Sequence, residues 1–174
     1  MYLGFCLIAF VALSRHRRRW TSRELDAVIR SPATPGISLI VPAYNEEATI
    51  CESVRSLLVL NYPDFEVVVV NDGSKDRTID VLVDAYDLLA APSSYTQTVP
   101  TQPIRTFYRS IAHPDLVAID KANGGKADAI NAGINAARHS LVCVLDADSI
   151  LEPHALTRAV LPFLEDPDTV ATGG

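Results

Sequence analysis

Short, mostly apolar segments alternate with longer amphipathic segments between residues 37 and 164, and polar turns separate them. Such apolar runs are typical of strands that are buried on both faces of a sheet. Neighbouring parallel strands need a crossover connection between them, usually a helix. The alternation therefore predicts an α/β fold, with a mostly parallel sheet flanked by helices. It places strands at 37–42, 65–70, 116–120 and 141–145.

The helical segments are recognised by apolar residues at helical spacing. They predict helices at 50–58, 78–89 and 126–138, and Pro153 suits the first turn of a fourth helix that ends near residue 164. The other predicted segments are a long polar loop, an extra edge strand and a further strand near the carboxyl end, at 91–103, 104–111 and 170–172.

The composition suits one globular domain and argues against one class of partner. The chain has 174 residues, of which 48% are hydrophobic. Its net charge of −6 combines +4 on residues 1–30 with −10 on the remainder. Because nonspecific binding to nucleic acid requires a basic face, we predict no nucleic-acid partner. Three widely spaced cysteines indicate small buried side chains in a reducing compartment.

The amino-terminal segment has the character of a membrane anchor. Residues 1–13 are almost wholly apolar, and arginines and a tryptophan follow within 15–20. A helix of that length spans about 20 Å, less than the ~30 Å hydrocarbon core. The basic flank is typical of a cytoplasmic helix end. We predict an anchor stub at 1–20 (alternatively a peripheral amphipathic segment), a linker at 21–36, and a body that faces the cytoplasm.

Asp146-Ala147-Asp148, after the fourth strand, is the strongest functional signal. Alternation along an extended chain directs Asp146 and Asp148 to the same side. Adjacent carboxylates are costly without a cation, and Mg²⁺ or Mn²⁺ is commonly held by one or two carboxylates together with substrate phosphates. The pair predicts a divalent metal site. The alternative is that Asp148 or Ser149 caps the following helix.

Two earlier strand ends carry side chains suited to a nucleoside. Tyr44 and Glu46 follow the first strand, which we expect to end at Pro42 because proline cannot donate to a sheet. Asp72 follows the second strand. A ring and carboxylates at one sheet edge can hold a base or a ribose. The alternatives are that 45–47 cap a helix and that Asp72 belongs to an ordinary turn.

A glycine-containing loop at 121–126 leads into the third predicted helix. Its backbone N–H groups, the helix dipole and Lys126 together favour an anion such as a phosphate. The pattern is neither a Walker loop nor GxGxxG, so a structural turn remains the alternative.

Taken in order, four motifs resemble family 2 glycosyltransferases, in particular the membrane-bound branch related to cellulose, hyaluronan and poly-N-acetylglucosamine synthases. They read Ile-Val-Pro-Ala-Tyr-Asn-Glu-Glu, Val-Val-Asn-Asp-Gly-Ser-Lys-Asp, Asn-Gly-Gly-Lys-Ala-Asp-Ala-Ile-Asn-Ala-Gly and Leu-Asp-Ala-Asp. The resemblance covers residues 37–174. It implies the donor-binding part of a Rossmann-like GT-A domain, incomplete at its carboxyl end, with a nucleotide-sugar donor (most often UDP-linked) and Mg²⁺ or Mn²⁺.

The resemblance also implies the residues of the donor site, which lie at strand ends and at the start of a helix: Pro42, Ala43, Tyr44, Glu46, Asp72, Lys126, Asp146, Ala147 and Asp148. By the resemblance, Tyr44 and Glu46 line the base pocket with Ala43. Asp72 holds the uracil or ribose, and Lys126 lies near the donor phosphates. Asp146 and Asp148 form a DxD motif, with Asp148 as the direct metal ligand.

The implied reaction transfers a hexose or N-acetylhexosamine, with inversion, to a saccharide or lipid-linked acceptor. Family members add an acidic general base and, when processive, a Gln-x-x-Arg-Trp motif, and neither follows in this sequence. We therefore expect the chain to lack the catalytic base. The main alternative is a non-catalytic donor-binding fragment. A remote alternative is a HAD-type phosphatase with Asp146 as nucleophile, which leaves the upstream motifs unexplained.

Overall fold

A computed structural model describes residues 22–92, 95 and 97–173, so the anchor prediction for 1–20 lies outside the described residues. In the described part the helices are α1 (Ser22–Ile29), α2 (Ile50–Leu58), α3 (Thr78–Tyr86), α4 (Lys126–Ala136) and α5 (Ala155–Glu165). The strands are β1 (Ile37–Ala43), β2 (Phe65–Asn71), β3 (Leu88–Ala91), β4 (Ile104–Ser110), β5 (Leu116–Lys121) and β6 (Leu141–Val144).

The strands form a single sheet in the order β3-β4-β5-β2-β1-β6. The four strands from β5 to β6 in this order are parallel to one another, whereas β4 is antiparallel to both β3 and β5. Helices cover both faces of the sheet. The predicted α/β fold with a mostly parallel sheet is therefore confirmed.

The central strands β1 and β2 are apolar at nearly every position because both of their faces are covered. Leu39 and Val41 point to the face covered by α2, α3 and α5. Ile40 points to the opposite face, where Ala129 and Ala132 of α4 pack. Burial on two faces explains why these strands lack the alternation of a half-exposed strand.

Small residues let α4 lie close to β1. Ala129 and Ala132 are fully buried, and a Cβ atom added to Gly133 would lie only 2.4 Å from Cγ2 of Ile40. The helix that follows the glycine loop is thereby held tightly against the centre of the sheet.

Both edges of the sheet differ from the prediction. α3 ends at Tyr86 rather than at residue 89, because Asp87 adopts a left-handed φ of 48°. The residues that follow form β3, so the strand predicted at 104–111 is not at the edge. β6, predicted as a buried strand, is the opposite edge, and Val142 and Val144 on its outer face are exposed.

The chain ends also differ from the prediction. α5 begins at Ala155, so Pro153 precedes its first turn. Residues 170–173 form no strand, and the side chain of Val170 is almost fully exposed. Part of the predicted 21–36 linker forms α1, which packs on α5 and buries Leu25.

Within the described residues, no helix has both the length and the apolar character that crossing a bilayer requires.

The described cysteines are packed thiols. Cys51 and Cys143 are both partly buried. Burial raises the pKa of each thiol above its ordinary value, which disfavours the reactive thiolate form. This agrees with the prediction of small buried side chains.

Candidate functional site

The order in which the chain adds parallel strands to the sheet reverses between β1 and β6. β1, β2 and β5 follow one another across the sheet, and the chain then returns to place β6 on the other side of β1. Ligands of open parallel sheets bind beyond the carboxyl ends of the strands at such a switch point. The residues that follow β1 and β6 here are those of the predicted site.

One cleft at this edge brings together all nine predicted residues, with Ala129 of α4 as a tenth. Its volume is about 280 Å³. The lining residues are Pro42, Ala43, Tyr44, Glu46, Asp72, Lys126, Ala129, Asp146, Ala147 and Asp148. Four separate connections of the fold therefore meet at one place.

β1 continues one residue beyond Pro42, contrary to the prediction that proline ends it. The N–H of Leu145 donates to the carbonyl of Ile40 at 3.0 Å, so the backbone polar groups of Ile40 point towards β6. The backbone nitrogen of Pro42, two residues later in the strand, points to the same side. β6 pairs with β1 only over Ile37–Ile40. No paired residue of β6 therefore needs the N–H that proline lacks, and β1 carries on to present Tyr44 to the cleft.

Asp146 and Asp148 lie in a turn rather than on an extended strand. The N–H of Ser149 donates to the carbonyl of Asp146 at 2.9 Å. Both carboxylates nevertheless line the cleft, and Nζ of Lys126 contacts Oδ1 of Asp146. Because α5 begins only at Ala155, neither Asp148 nor Ser149 caps it. The capping alternative is therefore excluded.

The carboxylate of Asp72 is buried and surrounded by the glycine loop. Its Oδ1 accepts from Nζ of Lys121 at 2.6 Å and from the N–H of Gly124 at 3.0 Å. Its Oδ2 accepts from the N–H of Gly125 at 2.7 Å and from Nδ2 of Asn123 at 3.2 Å. The anion held by these two glycine N–H groups is thus the carboxylate of Asp72.

The turns after β1 and β2 hold one another by hydrogen bonds. The N–H of Asn45 donates to Oγ of Ser74 at 2.9 Å, and Oδ1 of Asn45 accepts from the N–H of Lys75 at 2.8 Å. Oε2 of Glu47 accepts from the N–H of Arg77 at 2.9 Å. The side chains of Asn45 and Glu47 therefore bind the β2–α3 loop, rather than capping α2 as the alternative supposed.

Replacing Asn45 with alanine will lower the free energy of unfolding by about 1–3 kcal/mol. Asn45 has a φ of 58°, which alanine adopts at a cost, and the bond to Lys75 is lost as well. Asn45→Gly is the matched control, because glycine loses the same hydrogen bond but adopts this φ without strain. Urea denaturation measures both variants. Equal losses would contradict the conformational argument.

Protonation of Asp76 will weaken the fold in acid. Burial opposes ionisation, but hydrogen bonds from Thr78 and from the N–H of Glu47 outweigh it and hold the pKa of Asp76 below its ordinary 3.8. The stabilisation is fully present above that unfolded value and is lost as the pH falls through the lower folded value. We expect the free energy of unfolding to decline less between about pH 5 and pH 2 in Asp76→Asn than in the wild type. Identical pH profiles would contradict this.

The cleft carries an excess of negative charge. Asp72 pairs with Lys121, whose single positive charge is shared with Asp128, and the other three lining carboxylates face one lining ammonium, Lys126. An excess of at least two negative charges repels a diphosphate unless a cation is present. Asp146 and Asp148 offer the carboxylate oxygens that Mg²⁺ and Mn²⁺ prefer. No group of three or more His, Cys, Asp or Glu that could hold a metal occurs in the described part of the chain.

The predicted site did not include Lys121, Asp128 and Ala129. Lys121 is the last residue of β5 and is fully buried, with Nζ 2.6 Å from Asp72 and 2.5 Å from Oδ2 of Asp128. The sequence does carry a signal for Lys121. A lysine at the end of an apolar strand, directly before a glycine loop, requires buried partners for its charge.

Comparison with known proteins identifies relatives over most of the chain. The family described as "Glycosyltransferase like family 2" matches residues 35–174. The poly-beta-1,6-N-acetyl-D-glucosamine synthase of Staphylococcus epidermidis is 29% identical over 140 residues, which are 80% of this chain and 28% of that protein. The chain thus spans less than a third of the length of the curated relatives it matches.

Two solved structures of similar fold contain a uridine nucleotide. TarS 1-349 of S. aureus in complex with UDP-GlcNAc has a TM-score of 0.54 and 27% identity, covering 75% of this chain and 31% of that one. Glucosyl-3-phosphoglycerate synthase of Mycobacterium tuberculosis in complex with UDP has a TM-score of 0.53 and 26% identity, covering 87% and 47%. The described sheet and helices therefore have the fold of nucleotide-binding proteins.

Proposed function

Because the chain belongs to the family described as glycosyltransferase like family 2, we propose that it supplies the donor-binding part of an inverting glycosyltransferase. The expected GT-A fold is that of its structural neighbours. The proposed donor is a UDP-linked hexose or N-acetylhexosamine, and the proposed acceptor is a saccharide or a lipid-linked saccharide. The observation that carries the proposal is the cleft at the switch point, which collects all nine candidate residues.

The rim of the cleft formed by β1 suits the base of the donor. Tyr44 is 43% exposed and offers a ring face on which a base can stack. The carboxylate of Glu46, whose Oε2 accepts from Oγ1 of Thr49 at 2.8 Å, can accept an N–H of the base. Two similar structures contain UDP or UDP-GlcNAc, which supports uridine as the base of the donor.

The opposite rim suits the diphosphate. Asp146 and Asp148 would hold Mg²⁺ or Mn²⁺, with donor phosphates and water completing the ligands, because two carboxylates with open positions fit that chemistry. Such a cation, when bound, supplies positive charge beside the departing diphosphate. Lys126 contributes its own ammonium at the same rim, where it now pairs with Asp146.

In the proposed reaction, an acceptor hydroxyl oxygen forms a bond to the anomeric carbon while the bond from that carbon to the diphosphate oxygen breaks. Attack from the opposite side inverts the configuration. The hydroxyl proton passes to a carboxylate base, a role that we assign to none of the described residues. The cleft residues bind and orient the donor.

We also propose that residues 1–20 attach the protein to a membrane, with the cleft on the cytoplasmic side. The apolar run followed by arginines and a tryptophan supports this. A fluorescent protein fused to residues 1–36 should sediment with membranes, and replacing the arginines with glutamines should weaken that association. Recovery of the fusion in the soluble fraction would contradict the proposal.

Isothermal titration of UDP tests the proposed function directly. We expect binding in the presence of Mn²⁺ and its loss on addition of EDTA. A folded protein that binds UDP in neither condition would contradict the proposal. Sugar transfer from UDP-GlcNAc to a saccharide acceptor, measured separately, distinguishes a complete catalyst from a non-catalytic donor-binding fragment.

A further inference from the structure

Lys126 brings a positive charge to the cleft and holds it against Asp146. Its Nζ contacts Oδ1 of that carboxylate. The two residues belong to different connections, because Lys126 is the first residue of α4 and Asp146 follows β6. Both side chains are 60% exposed, so water competes for both charges. An ion pair exposed to this degree adds little to the stability of a fold, and it can therefore open at a small cost in free energy.

The carboxylate of Asp146 has two possible cationic partners. It accepts the ammonium of Lys126, and together with Asp148 it forms the pair of carboxylates that suits Mg²⁺ or Mn²⁺. Two positive charges that are close to the same oxygen repel one another. Asp146 therefore cannot serve both partners at full strength, and Lys126 competes with any divalent cation that binds there.

The fold fixes the backbone of Lys126 and leaves its ammonium at the surface. Ala129 and Ala132, later in α4, are fully buried against the sheet. The N–H of Gly125, directly before Lys126, donates to Oδ2 of Asp72 at 2.7 Å. The ammonium of a lysine stands on a flexible four-carbon stem. Nζ can therefore leave Asp146 for another acceptor in the cleft while the helix stays in place.

A bound diphosphate offers the ammonium such an acceptor. Its oxygens are negatively charged and accept strong hydrogen bonds from an ammonium. Lys126 and Asp146 line the same cleft in which the donor is proposed to bind, so the ammonium can pass from the carboxylate to a phosphate oxygen. Asp146 is then left to a divalent cation. The diphosphate and the cation should therefore favour each other's binding, and by thermodynamic linkage the two effects are equal.

We propose that Lys126 acts as an internal counter-ion of Asp146, which weakens the binding of a divalent cation until a nucleoside diphosphate takes the ammonium away. Lys126 thereby hinders a cation that arrives alone and contributes to the binding of the diphosphate. The inference rests on the proposed function and deepens it, because it makes occupation of the metal site depend on the donor.

The test measures Mn²⁺ alone and UDP separately in Lys126→Met. Calorimetry of Mn²⁺ without nucleotide should give a Kd about three- to tenfold lower than in the wild type, because the competing charge is gone. With saturating Mn²⁺, the Kd for UDP should instead rise by about tenfold, because a charged hydrogen bond to the diphosphate is lost. A merely structural role for Lys126 would not move the two constants in opposite directions.

Lys75→Met is the matched control. Lys75 is exposed and does not line the cleft, so the same substitution there changes the net charge equally and leaves the contact with Asp146 in place. At physiological salt it should leave both constants within about twofold of the wild type, because exposed charges are screened. An equal gain in Mn²⁺ affinity in Lys75→Met would assign the effect to net charge and overturn the inference.

Two further results would overturn the inference. The first is an affinity for Mn²⁺ alone that is unchanged, weaker or undetectable in Lys126→Met, with a thermal melt showing that the variant is folded. The second is seen in the unaltered protein and does not depend on a variant. It is a Kd for Mn²⁺ that is the same with and without UDP. A wild type that does not bind UDP in the presence of Mn²⁺ contradicts the proposed function instead, and the titrations of Mn²⁺ alone still test the competition for Asp146.

Discussion

Replacing Asp148 with asparagine will lower the affinity for UDP in the presence of Mn²⁺ by at least about 100-fold and leave the fold intact. Asp148 lines the cleft and is exposed, so its removal leaves the core unchanged. The large effect is expected because groups outside the first ligand sphere of a metal are already worth about 10–100-fold. Calorimetry with Mn²⁺ and with EDTA measures the loss, and a thermal melt checks the fold.

Asp84→Asn is the matched control for this variant. Asp84 is a carboxylate of α3 whose side chain is 73% exposed, and it does not line the cleft. The same chemical change there should leave Mn²⁺-dependent binding of UDP as it is in the wild type. Retention of the wild-type affinity by Asp148→Asn would contradict the proposal that Asp148 is a metal ligand.

Replacing Gly133 with alanine will destabilise the protein by about 1–3 kcal/mol. Helix propensity predicts the opposite sign, since alanine is better than glycine within a helix by up to about 1 kcal/mol. Packing outweighs propensity here, because the new Cβ atom would lie 2.4 Å from Cγ2 of the fully buried Ile40. Neither β1 nor α4 can move freely to relieve that contact. Urea denaturation gives the change in the free energy of unfolding.

A double-mutant cycle with Ile40→Ala isolates the contact. Ile40→Ala alone removes buried methyl groups and should cost about 2–5 kcal/mol. It also removes the atom that Gly133→Ala would strike, so the double variant should be more stable than the sum of the two losses predicts. Strict additivity would show that the cost of Gly133→Ala arises elsewhere.

The local sequence was sufficient for the architecture of the centre of the sheet. Val67–Val70 is apolar at every position, and burial of β2 on both faces follows from that composition. The alternation of such strands with amphipathic helices leaves few possible topologies, because parallel strands need crossovers. The residues at the carboxyl ends of parallel strands then meet at one edge. That rule predicts, from the sequence alone, that Tyr44, Asp72 and Asp148 share one site.

The local sequence did not predict which strands form the edges of the sheet. Leu141–Val144 is as apolar as a central strand, yet β6 is an edge strand in the described sheet, because the number of neighbours a strand has depends on the whole topology. Residues 88 and 89 continue a helical pattern, but the left-handed backbone of Asp87 ends α3 and lets Leu88 pair with β4. Pairing with β4, which lies further along the chain, therefore determines the structure of these residues more strongly than their local helical propensity does.

The cleft shows most clearly which properties follow from the sequence and which depend on the tertiary structure. Residue type and spacing identified the carboxylates, the aromatic ring and the lysine of the cleft, because the chemistry of a diphosphate and a divalent cation restricts which groups can serve. Which partner each carboxylate has was settled by tertiary structure, since Asp72 and Lys121 are 49 positions apart and meet only when β2 and β5 pair. A buried charge takes whatever partner the fold brings within hydrogen-bonding distance, because leaving it unpaired costs more free energy than any local preference supplies.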